Sequence, residues 1–386
     1  MIHLFINFLA ASAGGGLTYA RNIIPQLALR SDARATVAVG PSLRRELGDA
    51  PNIDFVELEI SVLKRLWYEQ RVLPGVIRRS RADVLLSAGN FVARRPPVPQ
   101  ILLSRNSLYL SRDFYRDLRS RAEYRMWLAT RAQALLAKRS VRWATVTVAP
   151  TEAFAEDLRK WTGAKVIAIH HGFDKDRFAR DSGPLPEQVQ AQLDVLGDCL
   201  KILFVSHYNY YRNFETLIRS LPILRTRLRG RQVRLFLTCQ LSEGMNPGAY
   251  RTGTITRLIE RLDVSEMVVQ LGAIPYHKLH RLYAAADVYV TPAYAETFAH
   301  PLLEAMATEV PVVASDLPVH KEICRDAALY FDRFSPEDMA DRIMQVADEP
   351  ERRRAMVAKG ALRAGEFSWK QHVDEIIALS RRLVGS

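Results

Sequence analysis

Glu296 and Glu304 stand eight positions apart in the stretch Thr291–Pro318, TPAYAETFAHPLLEAMATEVPVVASDLP. Pro301 lies between them, where a loop should turn into a helix. Proline fixes φ, and the N–H it lacks would go unbonded in a first helical turn anyway. The backbone N–H groups of Thr297 to His300 would then point out of a helix N-terminus, an end that receives phosphate or hydroxyl oxygens. Glu296 falls in the loop, facing a ligand, and Glu304 falls one turn inside the helix. Val310–Ser315 follows as a short buried strand and Asp316-Leu-Pro as a turn, and strand ends followed by loops are where open α/β sheets hold ligands. An ordinary core helix with one capping acid explains Glu304 equally well.

The elements that must position these residues form a series of alternating strands and helices. In the second half they are a strand at Lys201–Ser206, a helix at Glu215–Arg227, a strand at Arg234–Thr238, a helix at Thr254–Leu262 and a strand at Val268–Leu271. A helix at Tyr276–Ala285, a strand at Val288–Thr291, a short strand at Leu329–Tyr330, a helix at Pro336–Asp348 and final helices over Glu351–Leu383 complete it. Trp369 near the start of the last helix reads as a packing anchor. The first half opens on a strand over residues 2–9, a loop with Gly14, Gly15 and Gly16, and a helix over Leu17–Leu29. Three glycines let backbone approach an anionic ligand at a helix end, although a plain tight turn explains them as well. Further strands are expected at Ala35–Val39, Ile53–Glu57, Val84–Ser87, Gln100–Leu103, Thr145–Ala149 and Val166–Ile169. Helices are expected at Val62–Arg79 and, N-capped by Thr151, up to Thr162. Residues 175–199 read as a linker. Such alternation gives mainly parallel sheets covered by helices on both faces, and 386 residues suffice for two such domains.

The net charge of +12 is confined to one half. Residues 1–175 hold 27 Lys+Arg against 15 Asp+Glu, and residues 176–386 hold 27 against 27. This speaks about partners rather than fold. Within residues 104–142, ten basic residues stand against three acidic ones, interleaved with Tyr109, Tyr115, Tyr124 and Trp127. A basic aromatic helix here could lie on an anionic bilayer or grip a phosphorylated lipid. A long solvated helix packed on its own sheet accounts for the same pattern. Nucleic acid ranks last, without a helix-turn-helix, zinc or RNP-like motif. Three scattered cysteines, Cys199, Cys239 and Cys324, point to free thiols in a reducing compartment. No signal peptide or membrane-spanning run is read. Asp174-Lys-Asp176 matches a D-x-D pattern but falls in a turn, and His277 and His280 lack a third ligand, so no metal site is expected.

Several local motifs in order resemble the retaining nucleotide-sugar glycosyltransferases of the GT-B fold, family 4, the glycosyl transferases group 1. They are Leu203-Phe-Val, Arg212-Asn213, Leu271-Gly272, Leu282-Tyr283, Ala286-Asp-Val, Glu296-Thr-Phe-Ala-His-Pro-Leu-Leu-Glu304, Ala314-Ser-Asp-Leu-Pro-Val-His-Lys-Glu and Ala327-Ala-Leu-Tyr-Phe-Asp332. Gly14 to Gly16, Pro150-Thr-Glu and His171-Gly172 extend the resemblance more loosely into the first half.

The resemblance implies an α/β protein of two Rossmann-like domains facing across a cleft. Residues 1–172 would bind the acceptor, 173–365 the donor, and 366–386 would form a helix packing back on the first domain. It implies catalytic roles for Glu296, Arg212 and His207. Glu296 and the stretch of Phe298, Ala299, His300 and Pro301 would hold the donor sugar, Glu304 the ribose, Arg212 the diphosphate, and the loop at Gly272 the base. Gly15 and Gly16 would approach the diphosphate or the acceptor from the first domain, and Arg105 and Asn106 would lie on the acceptor side. His207 stands where many relatives carry Arg, and Arg212 where they carry Lys. The donor would be a nucleotide diphosphate sugar, with no cofactor and no metal expected. The expected acceptor is a sugar or a lipid-linked hydroxyl in bacterial surface polysaccharide or glycolipid assembly, towards which the basic first half points. The expected location is the cytoplasm, at the inner face of the membrane if 105–142 touches anionic lipid. A soluble small-molecule acceptor, a non-catalytic basic module binding membrane or nucleic acid, and a nucleotide-sugar epimerase remain as other readings.

Overall fold

The computed structural model describes residues 1–11, 15–181, 183–194, 197–228 and 230–385, apart from the side chains of Val62 and Leu63. Gly14 of the glycine loop, and Ser182, Val195 and Leu196 of the expected linker, lie outside the described residues. The described chain forms two compact units. One comprises Met1–Ser111, Leu118–Gly172 and Phe367–Ser386, the other Arg112–Asp117 and Phe173–Glu366.

The first unit is built on seven parallel strands: β1 (Ile2–Asn7), β2 (Ala33–Val39), β3 (Ile53–Glu57), β4 (Val84–Ser87), β5 (Gln100–Leu103), β6 (Val146–Ala149) and β7 (Val166–Ala168). Their order is β3-β2-β1-β4-β5-β6-β7. Strands buried on both faces read as near-continuous apolar runs, and VLLS, QILL and VTVA are buried at every position. One face of this sheet packs Leu4, Ile6, Leu86, Ile101, Leu103 and Val148 against Tyr19, Ile23 and Leu27 of helix Gly15–Ala28. Val373, Ile376 and Ile377 of helix Trp369–Val384 join the same core. Trp369 anchors the latter helix, stacked on His171 at 5.4 Å and edge-on to Tyr19 at 5.8 Å.

The second unit repeats the plan with β8 (Cys199–Phe204), β9 (Gln232–Leu237), β10 (Val268–Gln270), β11 (Val288–Thr291), β12 (Val312–Ser315) and β13 (Ala328–Phe331). The order is β10-β9-β8-β11-β12-β13, again all parallel. The expected α/β class with two parallel sheets is therefore present.

The local differences from expectation have physical causes. The helix expected over Val62–Arg79 is two, Val62–Arg71 and Leu73–Ser80, because Pro74 lacks the N–H that would continue the first. The basic stretch 104–142 is a 3-10 turn and two helices, Arg112–Ser120 and Tyr124–Trp143, broken where Ala122 adopts φ 55°. The linker of 175–199 holds helices Lys175–Phe178 and Glu187–Asp194, which bury Phe178, Val189 and Leu193. Asp174 caps the first of these by accepting a hydrogen bond from the Arg177 N–H, the turn role its position suggested. The strand expected from Val310 starts at Val312, just past Pro311, which cannot donate to the ladder.

Among the described glycines, Gly172 leaves the least room for a side chain. A Cβ there would overlap the backbone N and Cα of Trp369, which cannot move aside as a flexible side chain could. Gly172→Ala should therefore lower stability by roughly 1–3 kcal/mol, as overpacking does, and loosen the last helix. Urea denaturation and limited proteolysis at Phe367–Ser368 check this; wild-type stability with an equally protected C-terminus would contradict it.

Candidate functional site

In an open parallel sheet, the loops leaving neighbouring strands diverge where the strand order reverses, and a crevice opens at the strands' carboxyl ends. In the second unit that point lies between β8 and β11. The loop after β8 carries His207 and Arg212, and the loop after β11 carries Glu296.

Arg212 closes a 3-10 turn, Tyr210–Arg212, whose N-cap Asn209 accepts from the Arg212 N–H at 3.1 Å. Asn213 follows in the left-handed region, φ 57°, which asparagine tolerates better than most residues. Its amide donates to the carbonyls of Pro292 at 3.1 Å and Arg333 at 2.5 Å, and its oxygen accepts from Thr216 at 3.0 Å. Asn213 thus ties the β8 loop to the β11 loop. His207 is exposed, and its carbonyl accepts from the Ser206 hydroxyl and the Asn209 amide.

With these loops joined, Arg212 and Glu296 form an ion pair in which both side chains are largely buried. Burial raises the cost of the Glu296 charge, and the Arg212 guanidinium outweighs it, so the carboxyl is held below its ordinary range. Burial likewise disfavours the Arg212 cation, and Glu296 more than restores it. The Arg212 Nε–H is buried without a hydrogen-bond partner. His320, fully buried, completes the group. Its Nδ1 lies 3.1 Å from the Ser315 carbonyl and 3.0 Å from the Ser315 hydroxyl, which donates to the Ala293 carbonyl. Nδ1 is therefore assigned the proton, and Nε2 is buried with no hydrogen-bond partner. Burial pushes this imidazole down to about 4 against the pull of Glu296, so it is neutral at pH 7.

Pro301 occupies the first turn of helix His300–Ala307, as its position suggested. The N-cap Ala299 sits at φ 64°, a conformation that costs a non-glycine residue about 1–2 kcal/mol. Phe298 is buried, and its ring lies 4.8 Å from that of His300. One amide of the expected cradle is already engaged: the Thr297 N–H donates to the Glu296 carboxylate at 3.1 Å. Glu304 lies one turn into the helix and is buried, with the Tyr283 hydroxyl donating to it at 2.9 Å. Burial pushes its carboxyl up to about 7; hydroxyls of Tyr283 and Tyr276 offset this only in part. Gly272, at φ 76°, turns the chain just past β10, where a Cβ would lie 3.3 Å from the Gln240 amide nitrogen.

A brace for this site comes from a distant piece of sequence. Residues Arg112–Asp117 belong to the second unit. Asp117 accepts from the Tyr294 hydroxyl at 2.7 Å, Asp113 pairs with Arg333 at 3.3 Å, and Phe114 packs edge-on against Tyr211 at 6.3 Å. Tyr294 in turn donates its N–H to the Tyr211 carbonyl, next to Arg212.

The first unit has its own reversal point, between β1 and β4. Arg105 spans it, donating to the Gly15 carbonyl and, at 2.6 Å, to the Ala88 carbonyl, with its guanidinium over the Tyr19 ring. A Cβ on Gly16 would press on Ala11 at 3.1 Å. Asn106 caps the following 3-10 turn by accepting from the Leu108 N–H at 3.0 Å. Tyr19 and His372 share a 2.8 Å hydrogen bond, and burial pushes the imidazole down to about 4.

The structure therefore groups Glu296 with Arg212 in one unit and Arg105 with Gly15 and Gly16 in the other. His320, Tyr283 and the acids of residues 112–117 were missed as site residues. His320 and Tyr283 stood inside quoted motifs without any spacing that marked them, and no local signal links Asp117 to Tyr294, 177 positions on.

The family of glycosyl transferases group 1 matches residues 187–363, most of the second unit. A D-inositol 3-phosphate glycosyltransferase of Corynebacterium aurimucosum is 27% identical over 246 residues, 62% of this chain and 57% of that protein. An O-antigen chain mannosyltransferase B of Escherichia coli is 34% identical over 121 residues, 31% of this chain and 32% of that protein. The chain thus matches just over half the length of the first of these relatives and about a third of the second. Among solved structures, a sucrose-phosphate synthase from Thermosynechococcus elongatus is similar over 100% of both chains, with a TM-score of 0.75 and 16% identity. Anabaena HepE in complex with UDP-glucose is similar over 98% of this chain and 99% of that one, with a TM-score of 0.70 and 16% identity. These likenesses show the GT-B type of fold.

Two measurements test the site's physical basis. Asn213→Ala strands the Pro292 carbonyl and leaves that of Arg333 only the Thr216 hydroxyl at 3.4 Å, which should cost about 1–3 kcal/mol in urea denaturation; a change near zero would contradict its tying role. Glu304 loses its proton near 4.5 when unfolded and near 7 when folded, so stability from this group is full below 4.5 and is lost as pH rises through 7. The stability of Glu304→Gln relative to wild type should therefore improve by up to about 3 kcal/mol between pH 5 and pH 8. A pH-independent difference would overturn the assigned shift.

Proposed function

We propose that this chain, whose residues 187–363 match the glycosyl transferases group 1, moves a sugar from a nucleotide diphosphate sugar to a hydroxyl acceptor. The observation that carries the reading is the buried Arg212–Glu296 pair at the reversal point of the second sheet, beside the N-terminus of helix His300–Ala307. A guanidinium with an unused buried N–H suits a diphosphate. A carboxylate kept ionised suits sugar hydroxyls, which donate to it. A nucleotide sugar presents both chemistries at once. The names of the relatives, a glycosyltransferase and a mannosyltransferase, and the UDP-glucose bound by HepE support the same class.

In this reading Glu296 and the amides at Phe298 to His300 hold the donor sugar, Glu304 the ribose, and Gly272 the edge of the base. The reaction breaks the bond between the anomeric carbon and the diphosphate, and negative charge grows on the departing phosphate. Arg212 and the helix N-terminus meet that charge, the kind of electrostatic stabilisation that supplies the largest share of many rate enhancements. The departing phosphate accepts the acceptor's proton on the same face, which keeps the anomeric configuration and needs neither protein nucleophile nor metal. His207, exposed on the β8 loop, would be the second group to approach the diphosphate. Arg105 and Asn106 stand on the acceptor side. A hexose or deoxyhexose and a role in surface polysaccharide or glycolipid assembly follow the mannosyltransferase relative. A small soluble acceptor follows the inositol phosphate one.

Thermal denaturation with UDP, GDP, ADP and dTDP tests the donor site. A nucleotide at about 100 times its Kd should stabilise the fold by roughly 2.7 kcal/mol, and Glu304→Ala should remove that shift. Arg212→Ala leaves Glu296 buried and unpaired, at a cost of about 3–5 kcal/mol. Arg212→Lys is therefore the variant in which nucleotide binding and turnover are read. A flat response to all four nucleotides would overturn the proposal.

A further inference from the structure

The basic stretch that sequence alone treated as one segment divides in the structure. Residues Arg112–Asp117 belong to the second unit, where Asp113 and Asp117 are engaged. Helix Tyr124–Trp143 belongs to the first unit and contains five basic residues and no acidic one. Its inner face buries Ala134, Ala137, Ser140 and Val141. Its outer face carries Tyr124, Leu128, Arg131, Leu135, Arg139 and Arg142, all exposed. Their spacings from Tyr124 are 4, 7, 11, 15 and 18 residues, which places them on one stripe of an α-helix, about 27 Å long at 1.5 Å per residue.

Tyr124, Leu128 and Leu135 are 60%, 62% and 62% exposed, a level that soluble helices seldom repeat along one face. Right-handed crossovers put this helix and helix Val62–Arg71 on the same face of the first sheet, opposite helices Gly15–Ala28 and Trp369–Val384. That second helix adds exposed Leu66 and Trp67 beside exposed Lys64.

We propose that this face of the first unit, with the outer stripe of helix Tyr124–Trp143 at its centre, docks on an anionic lipid surface. Apolar side chains alternating with arginines match the two layers of a bilayer interface. The leucines and aromatic rings enter the acyl boundary, while the guanidinium groups stay among the phosphates. Charge complementarity favours anionic headgroups, because no carboxylate on the helix opposes them. Nucleic acid fits less well: a phosphate backbone rewards the arginines but offers nothing to Leu128 and Leu135. A stripe one helix wide with wholly basic charge also lacks the concave apolar pocket that anchors a protein partner. Among the described residues no helix is long and apolar enough to cross a membrane, so the docking would be peripheral.

Co-sedimentation of the full chain with vesicles tests this, comparing pure phosphatidylcholine with an equal mixture of phosphatidylcholine and phosphatidylglycerol. Binding should appear on the mixture and weaken with added salt. Arg131→Gln/Arg139→Gln should weaken it by about thirtyfold, two cations' worth of surface attraction. Leu128→Ser/Leu135→Ser should weaken it by about tenfold or more at unchanged charge. All four positions are exposed, so unchanged thermal denaturation of both variants excludes misfolding. Equal binding to both vesicle types, no binding to either, or binding that neither variant alters would overturn the proposal. So would a tighter complex with a DNA duplex that the arginine variant abolishes and the leucine variant leaves intact.

Discussion

The second unit depends on one interaction, the buried ion pair of Arg212 and Glu296. Taking two charges out of water costs several kcal/mol each, and their attraction returns this only when the geometry is held. A packed apolar pair would be at least as stable there. What the ion pair supplies is a cation and a carboxylate kept charged inside protein. Two loops from opposite sides of the sheet's reversal point must then stay in register, and Asn213 does this through the Pro292 and Arg333 carbonyls. The acids of residues 112–117 steady the same loops through Tyr294 and Arg333. In the proposed function, ligand groups exchange for the internal partners: phosphate oxygens for Glu296 on Arg212, and sugar hydroxyls for Arg212 on Glu296.

The two units show how one topology places arginine in two different ways. Arg105 and Arg212 each sit where a strand order reverses, and each has a buried Nε–H without a hydrogen-bond partner. Arg105 donates to two backbone carbonyls, which are neutral, and burial pulls its guanidinium down to about 10. Arg212 faces a carboxylate, and its cation is reinforced. Arg105 thus works as a staple across the β1 and β4 loops, holding the glycine turn in place, whereas Arg212 is held as a charge.

Much of the fold was legible because it is written locally. Period and composition separate VLLS or VTVA from the helices between them, and Pro301 and Thr151 mark helix starts by rules that involve only neighbouring residues. The same logic missed the break at Pro74, where apolar periodicity runs on through a residue that cannot donate. It also took residues 175–199 for a linker, because the partners that bury Phe178, namely Phe173, Tyr276 and Tyr283, lie partly a hundred residues away. The site residues were legible in kind, not in connection. Glu296 and Arg212 were both named, but their pairing is a product of strand order, and His320 enters only because β12 lies beside β11.

Glu296 and Glu304 make the limit of a motif explicit. They are the same residue type, eight positions apart and largely buried, yet one is held ionised against its burial and the other is pushed up to about 7. The difference lies in what faces them. Glu296 meets a guanidinium from another strand's loop, whereas Glu304 meets phenol hydroxyls, which stabilise a carboxylate far less. Spacing fixes where the two carboxyls are; the strand order of the sheet decides which carries the charge. A carboxyl poised near 7 can donate to a ligand or accept from one without a large change in pH, while its neighbour remains an acceptor throughout. A pair so divided can hold hydroxyl groups at two places on one ligand, and only one of those grips responds to pH near neutrality.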